Sequence, residues 1–175
     1  MSEGDVMRLT EVYDRLRELL DVELSRYGEL NEALEKKQRA IVAGDLEVIR
    51  ECLGRESVCT KRALAAAEAR TRFIAEMNVH RGRRADEPAL GKFIDESPPP
   101  HRDRLQARHR KLRESLETVV RLNRENRRLL AVGLECVRGM IRLILGETDD
   151  EAELYDVTGA APTGGAKSRI LNCRV

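Results

Sequence analysis

Tryptophan is missing from this chain, and two Phe and three Tyr make aromatics only 3% of its 175 residues. So few rings leave little to fill a wide globular core or to wall a small-molecule pocket; a narrow core of Leu, Ile, Val and Ala between long helices suits the composition better. No run approaches the roughly 18 apolar residues that span a bilayer, which argues against membrane insertion. The start, Met1-Ser2-Glu3-Gly4-Asp5, is acidic and lacks the apolar core of an export signal, so a cytoplasmic location is expected. Net charge is only +1, and nothing in the total calls for nucleic acid or membrane as a partner. Paired cysteine spacing is missing too. Cys52, Cys59, Cys136 and Cys173 read as free thiols in a reducing compartment.

Signatures of chemistry are equally sparse. There is no Gly-rich phosphate loop, no HExxH and no nucleophile elbow. His80, His101 and His109 have acids nearby, as any histidine in a highly charged helix does. Cys52 and Cys59 are seven apart on one helix face, but no second pair completes four metal ligands. No enzyme activity, cofactor or metal is expected.

What is present is helical periodicity, and it implies an all-α fold. Steps of four and three from about residue 5 to 42 pick out Leu9, Tyr13, Leu16, Leu20, Glu23, Tyr27, Leu30, Leu34, Lys37 and Ile41, a heptad seam broken only by Glu23 and Lys37. Gly44-Asp45 then supplies a left-handed stop and an N-cap, so a second helix, about 45–78, should fold back antiparallel on the first. Its seam reads Leu46, Ile49, Leu53, Glu56, Thr60, Ala63, Ala67, Arg70, Ile74 and Met77. Residues 79–101 form a Pro/Gly/Arg-rich connector, interrupted by Gly82, Pro88, Gly91 and Pro98-Pro99-Pro100. Within it Leu90, Phe93 and Ile94 suit a short apolar turn docked on the bundle, and the triple proline suits a stiff lead.

A third helix, about 102–145, has the seam Leu105, His109, Leu112, Leu116, Val119, Asn123, Asn126, Leu130, Gly133, Val137, Met140 and Ile144. At 1.5 Å per residue it is roughly 65 Å long and the first roughly 55 Å, so the expected form is an elongated helical hairpin plus a long third helix, a three-helix, coiled-coil-like bundle spanning residues 1–146. Asn123 and Asn126 interrupt its stripe with amides that are costly when buried unpaired; they serve as a register device, as a contact with another chain, or as both. Farther on, Val137, Met140, Ile141, Leu143, Ile144 and Leu145 make an apolar cluster wider than one seam requires. Its cover is the second helix, a second copy of the chain in a homodimer, or a client.

Two charge features complete the reading. From His101 to Arg128 ten cations face four acids, an excess of six. Such a stripe can track a phosphate backbone, but no aromatics interleave for base stacking. The acidic first helix, with Glu11, Asp14, Glu18, Asp21, Glu23, Glu29, Glu32 and Glu35, offers an internal counter-charge. Beyond Gly146, residues 147–175 form an acidic, Gly-containing tail with Tyr155-Asp156-x-x-Gly159 and the apolar Ile170, Leu171 and Val175. It reads as a mobile segment that folds on a partner.

These features in order resemble the FlgN-type flagellar export chaperones. The resemblance rests on Leu16 to Leu20, Glu23, Tyr27-x-x-Leu30, Lys36 or Lys37, Ile41-Val42, Asp45-Leu46 and Glu56. It continues after a breaker region with Asn123-x-x-Asn126-x-x-Leu129-Leu130, then Tyr155-Asp156-x-x-Gly159 and the close Ile170 to Val175. The long Arg-rich connector and triple proline are less typical of the family. The resemblance implies a cytoplasmic chaperone that binds hook–filament junction subunits, keeps them from premature assembly, and hands them to the gate or ATPase components of the flagellar type III export apparatus. Clients of this kind present disordered termini that fold as amphipathic helices in an apolar groove. Client binding then falls on Asn123, Asn126, Leu130, Leu134, Val137, Met140, Ile141, Ile144 and Leu145, with Ile170 and Leu171 from the tail, and Tyr155 is the candidate anchor on the export gate. A non-flagellar coiled-coil adaptor and a nucleic-acid-binding helical arm are the rival readings.

Overall fold

A computed structural model describes residues 3–84 and 90–146, with side chains from Thr10 onward. These residues form four helices: α1 (Glu3–Ala43), α2 (Leu46–His80), α3 (Leu90–Asp95) and α4 (Pro99–Leu145). Among the described residues there is no strand. The chain divides into two compact units, Met1–Ala131 and Val132–Val175.

The α1–α2 hairpin closes as the turn chemistry requires. Gly44 takes φ 70°, where a residue without Cβ is unstrained. Its N–H donates to the Ile41 carbonyl (3.1 Å), and the Asp45 N–H donates to Ala40 (3.0 Å). The Asp45 carboxylate then accepts from the Val48 N–H at 3.0 Å, satisfying a first-turn donor of α2. Small residues line the contact: Ala33 and Ala40 on α1, Cys52, Cys59 and Ala63 on α2, all buried.

The two charged residues that break the α1 stripe are both buried, Glu23 at 1% and Lys37 at 6% exposure. Each meets the opposite charge on α2. Arg70 donates to Glu23 through Nε (2.6 Å) and Nη2 (3.3 Å), and Lys37 Nζ donates to Glu56. Glu23 has its two oxygens satisfied by one guanidinium, the bidentate geometry that offsets desolvation best. Burial, with the Glu23 carboxylate beside it, raises the Tyr27 hydroxyl above its ordinary pKa, against a smaller lowering by Arg70.

Leu90, Phe93 and Ile94 do dock. They form α3, are buried, and join Tyr13, Leu16, Leu20, Ile74, Leu105 and Leu112 in one core cluster. The arginines before them hold this plug down. Arg81 stacks its guanidinium 4.3 Å from the Phe93 ring centroid and donates to the Tyr13 hydroxyl at 3.2 Å; Arg83 donates to Glu96 at 2.7 Å. That hydrogen bond lowers the Glu96 carboxyl below its usual pKa. Its contribution is therefore present above the ordinary carboxylate range and fades as pH falls through the depressed value.

The long helix begins earlier than its sequence suggested. Pro99 and Pro100 are its first residues, and the Pro98 carbonyl accepts from the N–H groups of His101 (3.0 Å) and Arg102 (2.9 Å). The triple proline thus opens the helix instead of leading into it as a stiff spacer. First-turn positions have no intrahelical donor to lose, and proline's fixed φ is already helical there. α4 runs parallel to α1. Arg108 grips Asp21 with Nε at 2.7 Å and Nη2 at 3.2 Å, Asn31 donates to Ser115 Oγ at 3.0 Å, and Gln38 to Glu125 at 3.0 Å. A second core cluster, Leu30, Ala33, Leu34, Cys59 and Leu122, joins all three long helices.

Arg70→Leu leaves a buried carboxylate alone, and is expected to cost about 3–5 kcal/mol in urea unfolding, whereas Glu23→Leu with Arg70→Leu should return stability to within about 1 kcal/mol of the parent. A single variant as stable as the parent would mean the pair carries no weight.

Candidate functional site

The buried line of α4 follows the predicted stripe at three of its four positions and leaves it at one. Leu105, Leu112 and Asn126 are buried as the spacing predicts, but Leu122 is buried in place of Asn123, and Leu116 and Leu130 stand exposed. On α2 the same slip puts Cys52 and Cys59 inside, while Leu46, Leu53 and Thr60 face out. The cause is the hairpin itself. Close approach of α1 and α2 selects the smaller Cys52 over Leu53, and at the next heptad buries Cys59 in place of the more polar Thr60.

Asn123 and Asn126 have different roles in the packing. Asn126 is 1% exposed, and its Nδ2 donates to the Leu34 carbonyl at 3.0 Å, so the amide ties α4 to α1. Its Oδ1 is buried without a partner. Asn123 is half-buried and borders a cleft of about 450 Å³ with Leu53, Ser57, Thr60, Lys61, Arg127 and Leu130, over Lys37, Glu56 and Asn126. The structure therefore brings Asn123, Asn126 and Leu130 to one place. Nearby, hydrogen bonds from Gln38 and then Arg121 lower the pKa of Glu125.

Within Val132–Leu145 every residue is exposed. The large apolar side chains Val132, Leu134, Val137, Met140, Ile141, Leu143, Ile144 and Leu145 are between 47% and 79% exposed. Among the described residues nothing covers them. Tyr155, Ile170 and Leu171 lie outside the described residues.

The remaining candidates settle into the scaffold. His101 packs its ring against Tyr13 with centroids 5.1 Å apart. Cys52, Cys59 and Cys136 are free thiols, and Cys173 lies outside the described residues. No group of three metal-binding side chains occurs among the described residues, and no helix there is long and apolar enough to cross a membrane. Of the basic stretch, Arg108 pairs with α1, Arg121 pairs with Glu125 on its own helix, and Arg102 donates to the Ser97 carbonyl at 3.0 Å.

Sequence reasoning missed the two interhelical charge pairs, although their signal was present. A hairpin folded at Gly44-Asp45 sets position 23 opposite 70 and 37 opposite 56, and each is a pair of opposite sign at a seam break.

Asn126→Leu removes one hydrogen bond and one orphaned oxygen together, so unfolding free energy should stay within about 1 kcal/mol of the parent. The alignment of α4 on α1 should loosen, seen as broadened or doubled NMR resonances around Leu34 and Leu122. Single sharp resonances there would leave the amide without a register role.

The model of the family described as FlgN protein matches residues 7–163. No curated protein and no solved structure matches the chain. The match takes in α2, α3, α4 and nearly all of α1, the buried Asn126 tie and the exposed apolar run alike, and the chain belongs to the FlgN family, a family of flagellar export chaperones.

Proposed function

We propose that this chaperone binds the hook–filament junction subunits of the flagellum in the cytoplasm, keeps them from assembling early, and delivers them to the type III export apparatus. The observation that carries this reading is the exposed apolar surface of α4 from Val132 to Leu145. An uncovered apolar face of that extent on a charged helix needs an occupant, and an amphipathic terminal segment of a client supplies a matching face. Leu130, Leu134, Val137, Met140, Ile141, Ile144 and Leu145 are the client-contact residues, joined by Ile170 and Leu171. Tyr155 is the anchor on the export gate. Asn123 and Asn126 complete the set of proposed partner-binding residues.

The energetics suit a reversible escort. Full burial of one large aliphatic side chain is worth about 1.5–3 kcal/mol, and ordering a disordered client takes back several kcal/mol. A few such anchors hold the client while leaving release to competition at the export apparatus.

Met140→Asp and Ile144→Asp should each weaken binding of a junction subunit about tenfold or more by calorimetry. Helicity by circular dichroism should be unchanged, since both side chains are about half or more exposed (55% and 78%). Wild-type affinity in both variants would move the client elsewhere. Truncation after Gly146 should abolish client binding while the helices persist; full affinity in the truncated chain would remove Ile170 and Leu171 from the contact.

A further inference from the structure

We propose that the outward face of α4 between Arg110 and Arg128 is a docking surface for an anionic lipid membrane, held at the headgroups by arginines and not inserted across the bilayer. This reading does not rest on the client surface at Val132–Leu145. Every residue it uses lies in Met1–Ala131.

Arg110, Arg113, Arg124, Arg127 and Arg128 are all exposed. At 3.6 residues per turn they fall within an arc of about 100° on α4. The buried Leu105, Leu112, Leu122 and Asn126 lie outside that arc. Among the described residues none of the five arginines forms an ion pair. The neighbouring Glu125 is already bound by Gln38 and Arg121, which lower its pKa with a smaller contribution from Arg124. Glu117 is the acid that shares the arc, so five cations against one acid leave an excess of four.

The rest of the bundle holds this row in place. Arg108, Ser115, Glu125 and Asn126 tie α4 to Asp21, Asn31, Gln38 and Leu34 of α1. The arginines therefore stand along a fixed line about 27 Å long, and docking orders only their side chains. At physiological salt each basic residue close to an anionic surface strengthens attachment about fivefold. Four in excess give an attachment that is firm at low salt and reversible in the cell.

The gap in the row decides among anionic occupants. Between Arg113 and Arg124, about 16 Å apart along the helix, the exposed side chains include Val120 (68%) and Leu116 (36%), with Glu117 beside them. A nucleic-acid backbone repeats its phosphates at short steps and gains from a cation at each; an acid and two aliphatic side chains interrupt that track. A headgroup layer is indifferent to the spacing of cations, and its interface takes an aliphatic side chain between them. A second copy docked by this face sets arginine against arginine, because a two-fold contact is self-complementary. A small anion needs cations converging on one point, and here they are spread along a line.

The full chain is co-sedimented with large vesicles of phosphatidylcholine containing about one-third phosphatidylglycerol, and with vesicles of phosphatidylcholine alone. The expected result is binding to the anionic vesicles only, weakening steeply as salt is raised. Arg124→Glu with Arg127→Glu should lower the bound fraction's partition coefficient about tenfold or more. Arg55→Glu with Arg72→Glu makes the same change in total charge at exposed positions of α2, and should leave it within about threefold. Val120→Ser should weaken binding about threefold. Thermal melts by circular dichroism should match the parent for all three variants, whose altered side chains are exposed. Client affinity should be unchanged by Arg124→Glu with Arg127→Glu, so the client reading and this one fail separately. Equal binding to neutral vesicles, no binding to anionic ones, equal losses in the two double variants, or indifference to Val120→Ser would each overturn the proposal. So would a single-stranded RNA of about 20 nucleotides that binds more tightly than the vesicles with the same dependence on Arg124 and Arg127.

Discussion

Two ion pairs between α1 and α2 set the alignment on which everything else in Met1–Ala131 depends. Glu23 with Arg70 and Lys37 with Glu56 are fourteen residues apart on each helix, two heptads. A hairpin of small and aliphatic residues slides at little cost, because Leu and Ala fit many holes. A slip strands two buried charges, each worth several kcal/mol when unpaired. The pairs therefore add little stability over an apolar replacement and exclude the neighbouring registers. With that alignment fixed, Cys59 joins Leu30, Ala33 and Leu34 in one cluster, and Arg81 reaches both Tyr13 and Phe93.

α4 is held differently, and the difference bears on function. Its contacts with α1 are polar at intervals, Arg108 with Asp21, Ser115 with Asn31, Glu125 with Gln38, Asn126 with Leu34, with single leucines between. Hydrogen bonds of this kind are worth about 1 kcal/mol each and are directional. They place α4 without covering its flank, so the leucines beside the buried line stay open. Within Val132–Leu145 the large apolar side chains of α4 are exposed.

The helices and the turn at Gly44-Asp45 were legible in the sequence because period and capping are local signals. So was the docking of Leu90, Phe93 and Ile94, whose apolar cluster stood alone in a polar connector. The start of α4 was misjudged because proline was read as a helix breaker, when at the first turn it breaks nothing. The buried line was misplaced by one residue at Cys52, because hydropathy ranks Leu53 above Cys52 while the close α1–α2 contact selects the smaller side chain; at Cys59 and Leu122 heptad counting passed over the more apolar neighbour in favour of Thr60 and Asn123. Asn126 was singled out correctly as a costly amide; that it spends one end on Leu34 and leaves the other unmet depends on three-dimensional placement that no spacing rule supplies. The exposed apolar run was visible as an excess of hydrophobic residues, but its openness depends on what the remaining helices fail to reach.

If the apolar side chains of α4 from Val132 to Leu145 receive a client, amide hydrogen exchange of the full chain, alone and saturated with a junction subunit, registers it. The expected result is added protection concentrated in residues 132–145, with residues 13–34 exchanging as before. Protection confined to other segments, with 132–145 exchanging at the free rate, would contradict it.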